Sequence, residues 1–232
     1  APEGKQRVTS FDETIEAPQN TSLFHNQKDK LFQFKLKNER KKDPKVDALL
    51  KTVEKAIQRK DIKLLFSVMD EGVISSFGGG VVGYEGIAEV WGEDYQQLRN
   101  RLDKILALGG SFSGDSSYSV PYEGNLANEA QKVVEDMVPH GCGITTNQNA
   151  MIYPNAKCRS KEGIQIGRTY AIVDMFSEYY QRDNDVIKIN LLGTGIHGFV
   201  KNEDFYISSD YTLFLEKNKQ GVWKITAFAP WD

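Results

Sequence analysis

Residues 43–74 read DPKVDALLKTVEKAIQRKDIKLLFSVMDEGVI, two helical stretches running toward a strand, and this sequence of patterns decides the fold class. Asp43 followed by Pro44 is a helix start, a capping carboxylate before a proline at the first helical position. Val46, Leu49, Leu50, Val53 and Ile57 then recur at helical spacing and predict one apolar stripe. Asp61 is placed to cap a second, shorter helix with Ile62, Leu65, Phe66 and Met69 on its buried face, and Asp70-Glu71-Gly72 reads as the turn that ends it. Val73 to Phe77 is rich in strand formers and stops at Gly78-Gly79-Gly80.

Downstream, Ile87, Val90 and Trp91 predict a third helix. A fourth starts near Asp94, with Tyr95, Leu98, Leu102, Ile105 and Leu106 on one side and Gly109-Gly110 as its stop. At Ser111 the period changes to two, with Tyr118, Val120 and Tyr122 alternating with small or polar residues. Residues 128–138 predict one more short helix. Beyond it come short strand-forming segments, at 164–166, 171–176, 186–191, 196–200, 211–215 and 222–228, whose spacing indicates a small barrel or sandwich. Upstream, residues 1–42 form a polar arm whose one alternating piece, Leu31 to Leu36, reads as an edge strand. The expected division is therefore an arm over 1–42, a helix-rich α+β scaffold over 43–138, a barrel over 139–208 and a C-terminal hairpin over 209–232, packed on either scaffold or barrel.

The 232 residues are 40% hydrophobic and 26% charged, the composition of a folded chain with a real core. A formal net charge of −3 provides no field that attracts a polyanion, so nucleic acid is not an expected partner. No apolar run approaches the roughly 18 residues a membrane helix needs. Ala1 in place of Met, with no apolar signal core, reads as a trimmed precursor or a cut tag. Cys142 and Cys158 are compatible with one bridge or with two unrelated buried thiols.

Most chemical motifs in the sequence lack a residue that their chemistry requires. Gly78-Gly79-Gly80 lacks the Lys-Ser/Thr that would hold phosphate and magnesium, and Gly110-Ser111-Phe112-Ser113-Gly114 has Phe112 where a hydrolase nucleophile belongs. His140, Cys142 and Cys158 are three soft ligands without the fourth that structural zinc requires. The pairs Asp70-Glu71 and Glu203-Asp204 sit at turn-like positions where solvation is the default. No catalytic residue, metal or cofactor is therefore assigned. Phe77, Tyr84, Trp91, Tyr118 and Tyr122 are expected to line or fill the scaffold's interior. In the barrel region, Tyr179-Tyr180 stands beside the polar run at 181–185, and only one of two neighbouring strand side chains can face a core. The other is available for contact, and with His197 and Phe199 it offers large rigid area at little entropic cost.

Two regions carry a family resemblance. Asn155-Ala156-Lys157-Cys158-Arg159-Ser160-Lys161-Glu162-Gly163 with Ile166-Gly167, then Val186-Ile187-Lys188-Ile189 and Gly195-Ile196-His197-Gly198-Phe199-Val200, resembles the bacterial Src-homology-three domain over about residues 144 to 206. Val46 to Tyr84, with 211–217 and 222–228, is similar to the α+β cone of nuclear-transport-factor-two-like (SnoaL-like) proteins. In this order, with Leu106 to Phe112 between them, the segments look like a group of uncharacterised exported bacterial proteins that carry a Src-homology-three-type domain. The resemblance implies an α+β fold in which a helical cone-like scaffold carries an inserted or appended small all-β barrel. It also implies a periplasmic or cell-envelope location, which favours a Cys142–Cys158 bridge. The implied function is non-catalytic binding of a cell-wall peptide or glycan, with Tyr179, Tyr180, His197 and Phe199 as contact residues. Two other readings stand beside it: a small-molecule binder or enzyme using the cone's cavity, and a structural module docking a protein partner.

Overall fold

The computed structural model describes residues 31, 33, 36–92, 95–121, 141–174, 177–179, 184–192, 194–207 and 210–230. Tyr122, the expected helix over 128–138, His140, Phe176, Tyr180 and the polar run at 181–183 lie outside the described residues. Helix α1 (Pro44–Arg59) starts as its sequence dictates: the Asp43 carboxylate accepts the Lys45 N–H at 2.8 Å, and Val46, Leu49, Leu50, Val53 and Ala56 are buried on one stripe. Lys60 ends it in a left-handed conformation, and Asp61 caps α2 (Ile62–Ser67) by accepting the Leu64 N–H at 3.0 Å. The spacing places Met69 on that helix and a turn at residues 70–72. The structure instead starts strand β1 (Met69–Ile74) there, because β12 (Trp223–Pro230) runs alongside in parallel and Ile225 donates its N–H to the Val68 carbonyl. Helices α3 (Gly83–Trp91) and α4 (Gln96–Leu106) follow, and α4 buries Leu98, Leu102 and Ile105.

The first sheet has the order β1-β12-β11-β3-β2, with β2 (Ser111–Ser113), β3 (Ser117–Val120) and β11 (Tyr211–Lys217). The C-terminal hairpin β11–β12 thus lies inside this sheet, between β1 and β3. The Trp223 indole N–H donates to the Asp43 carboxylate at 2.9 Å, so one side chain both caps α1 and ties it to the hairpin. Gly110 leaves no space for a side chain: a Cβ there would stand 2.7 Å from the Tyr118 ring, which fills the core behind it.

The second sheet has the order β10-β4-β7-β8-β9, from β4 (Cys142–Thr145), β7 (Tyr170–Val173), β8 (Val186–Leu191), β9 (His197–Lys201) and β10 (Phe205–Ile207). A short hairpin, β5 (Met151–Ile152) with β6 (Ile164–Gln165), meets it at one bridge, Tyr153 to Phe199. Among the described residues no sheet closes into a barrel, because the β5–β6 hairpin meets β9 through that bridge rather than through a full strand ladder.

Cross-strand register divides the second sheet into two faces. Ala171, Val173, Ile187, Ile189, Leu191, Val200 and Phe205 share one, packed with Leu31, Ile152 and Ile166 into a core of their own. On the other, Cys142, Ile144, Tyr170 and Tyr206 join the core of the first sheet and its helices. That second face is covered only over β10, β4 and β7. Its β8–β9 half, with Val186, Lys188, Asn190, His197, Phe199 and Lys201, is not buried.

In the N-terminal piece, Leu31 is buried in the second core and Gln33 makes an antiparallel bridge to Thr169, a pairing compatible with an edge strand; residues 32, 34 and 35 lie outside the described residues. Among the described residues no helix is long and apolar enough to cross a membrane.

Candidate binding site

On β9, His197 and Phe199 alternate with the inward Gly198 and Val200, so both belong to the uncovered face. Tyr179 packs edge-on against the Phe199 ring, with centroids 5.1 Å apart and planes at 83°. The cross-strand partner of His197 is Asn190, and that of Phe199 is Lys188, whose ammonium stands 3.2 Å from the Asp174 carboxylate. The structure thus brings together three of the four residues singled out in the sequence, and Tyr180 lies outside the described residues.

The cysteine bridge is corrected. Both thiols are free: Cys142 is buried on β4, and Cys158 sits in the turn after Tyr153 with a φ of 45°. Burial raises both thiol pKa values, which keeps them protonated and poorly nucleophilic.

The cone-interior reading is corrected in part. Phe77 and Tyr84 are exposed, the latter stacked on Phe66 at 4.6 Å, because the glycine run at 78–80 carries the chain out of the core. Trp91 and Tyr118 are buried, and aromatic rings occupy the space around them: Tyr211 and Phe228 stand 4.6 and 5.5 Å from Trp91, and Phe112 stands 4.8 Å from Tyr118.

A cleft of about 1250 Å³ opens where α4 faces the uncovered half of the second sheet. Gln97, Asn100, Arg101 and Lys104 of α4 form one wall, Ala156, Lys157 and Cys158 the other, with Val186 of β8 and Lys201 of β9 between them. Val186 and Lys201 are cross-strand partners, and Lys188 and Phe199 are the next pair on the same face. Phe199, against which Tyr179 packs, thus stands two residues along β9 from the cleft's Lys201 and on the same face.

No family model, curated protein or solved structure matches this chain. The chemistry of the cleft is thus read from its own residues. Arg101 pairs with Asp210 at 2.8 Å, and its guanidinium lies over the Tyr211 and Trp91 rings, 5.1 and 6.0 Å from their centroids. Lys104 donates to the Asn202 backbone carbonyl at 2.8 Å and to its side-chain oxygen at 3.3 Å. Burial pushes the Lys104 pKa down to about 8, with Arg101 adding to the effect and Asp210 and Asp204 opposing it. Asn202 is itself positioned by donating its side-chain amide to the Asn184 carbonyl and its backbone N–H to that of Asp185. The Asp204 carboxylate accepts from the Asn147 amide, and burial followed by the neighbouring Glu203 raises its pKa.

The α4 wall is absent from the residues singled out in the sequence. Its signal is nonetheless present: Gln97, Asn100, Arg101 and Lys104 recur at three- and four-residue steps along the flank of the stripe formed by Leu98, Leu102 and Ile105. A polar helical stripe normally faces water, and only the fold shows a second sheet standing opposite this one. Amides, ammonium groups and backbone carbonyls beside an aromatic pair suit hydrogen bonding to an extended polar molecule.

Proposed function

We propose that this protein is a non-catalytic binding protein of the bacterial cell envelope that recognises a cell-wall peptide or glycan. The observation that carries this reading is the shared β8–β9 face, on which Phe199, packed by Tyr179, stands next along β9 to the Lys201 that lines the polar cleft. An extended ligand with apolar faces and many amide or hydroxyl groups matches that sequence of surfaces. The ligand class and the exported location come from the resemblance of residues 144 to 206 to bacterial Src-homology-three domains. The resemblance to a cone-like fold assigns the helices and the first sheet the role of scaffold.

Co-sedimentation with purified bacterial sacculi tests the reading. The intact chain is expected to bind saturably. Phe199→Ser removes the half-exposed ring against which Tyr179 packs, and is expected to weaken binding about tenfold while leaving the melting transition cooperative, since an aromatic contact contributes about 1 kcal/mol beyond the area it buries. No sedimentation of the intact chain, or equal binding by the variant, overturns the proposal.

A further inference from the structure

The cleft's charges are not all matched. Arg101 is held by Asp210 at 2.8 Å, and Lys201 stands 3.5 Å from Glu203. Lys104 and Lys157, among the described residues, have no carboxylate oxygen within 4.0 Å. Lys157 is exposed at the rim. Lys104 is half-buried, and its two hydrogen bonds go to the neutral oxygens of Asn202, leaving one of its three N–H donors for another acceptor.

The acids around it are otherwise engaged or solvated. Asp210, which enters from the segment before β11, is taken by Arg101, and Asp204, from the turn after β9, accepts from Asn147. Asp103 on the same helix, Asp185 before β8 and Glu203 are exposed, where water screens their charge. A half-buried cation facing a large cleft without a contacting counter-ion is a place for an anion supplied from outside.

Resting on the envelope-binding reading above, we infer that the cleft receives a carboxylate of its ligand against the Lys104 ammonium, with Lys157 at the rim as a second cation. Within the cell wall, this selects the acidic peptide over the neutral sugars.

The inference has a proton signature. A contacting carboxylate favours the charged ammonium and raises its pKa on binding, starting from about 8 in the free protein. Binding is therefore strongest below about pH 8, takes up a proton above it, and weakens about tenfold per pH unit until the bound-state pKa is reached.

The test uses soluble peptide-bearing fragments released from sacculi by a muramidase, compared with the same fragments after their carboxyl groups are converted to amides. Titration calorimetry at about pH 9, in two buffers of different ionisation heat, reads proton uptake. The expected result is about tenfold weaker binding of the amidated fragments, with proton uptake only for the acidic ones. Lys104→Met is expected to abolish that uptake. Lys157→Glu, at an exposed position that leaves the fold intact, is expected to weaken binding of the acidic fragments alone. Equal binding of both preparations, or binding without proton uptake, overturns the inference and leaves the envelope-binding reading standing. Failure of both preparations to bind overturns the two together.

Discussion

Replacing Asp210 by Ala is expected to lower the stability of the folded chain by about 3 kcal/mol, a fall of roughly 6 to 12 °C in melting temperature for a protein of this size. Asp210 lies where the chain leaves the second sheet after β10 and enters the first at β11. Its carboxylate contacts Arg101 of α4 at 2.8 Å and also accepts the Tyr211 N–H at 2.8 Å. The two side chains are only 21% and 10% exposed, so this is not a solvated surface pair. An arginine cannot lose its proton to escape burial, and the guanidinium over Tyr211 and Trp91 would remain charged without a counter-ion. Denaturant unfolding at neutral pH measures the effect. Arg101→Met in the same chain is expected to recover part of the loss, since it removes the stranded charge. A loss below about 0.5 kcal/mol for Asp210→Ala would class the pair with ordinary surface ion pairs.

Gly198→Val is expected to destabilise the protein by about 1–3 kcal/mol and to abolish wall binding. A Cβ at Gly198 would stand 2.6 Å from the Tyr153 carbonyl oxygen and 2.8 Å from Ile152 Cγ1. The first of these is backbone, and it belongs to the residue whose N–H and carbonyl both pair with Phe199 at 2.8 Å. Any side chain there pushes the β5 hairpin off β9, and the cleft wall at Ala156 to Cys158 moves with it. Gly198→Ala is expected to show the same two effects at smaller size. Melting curves and sacculus sedimentation of both variants check this. Native stability and binding for the valine variant would mean that the hairpin is not seated on β9.

What could be read in advance follows the range of the interactions. The starts of α1 and α2 were legible because Asp43, Pro44 and Asp61 act within three residues of themselves. The same locality made the apolar stripes of α1 and α4 visible. Met69 to Gly72 reads as a helix end and a turn because the strand character of this segment is supplied by Ile225 and Ala227, some 150 residues away. β4 and β5 went unseen for a related reason: β4 is covered on both faces and β5 has two residues, so neither shows alternation. The same contrast holds at the site. Tyr179, His197 and Phe199 could be singled out by aromatic density and strand period, whereas the α4 wall required knowing which sheet stands opposite the helix. The cysteine pair had suitable spacing, but Cys142 is committed to a strand between β7 and β10, and Cys158 to a turn.

The central claim is that ligand lies along the β8–β9 face and into the cleft beside α4. Hydrogen exchange of the intact chain, with and without soluble sacculus fragments, tests it most directly. The account predicts slowed exchange confined to residues 184–188, 197–203 and the α4 wall from Gln97 to Lys104. Protection confined to the exposed apolar segment around Phe77, Val81, Val82 and Tyr84, with β8 and β9 unchanged, would contradict it.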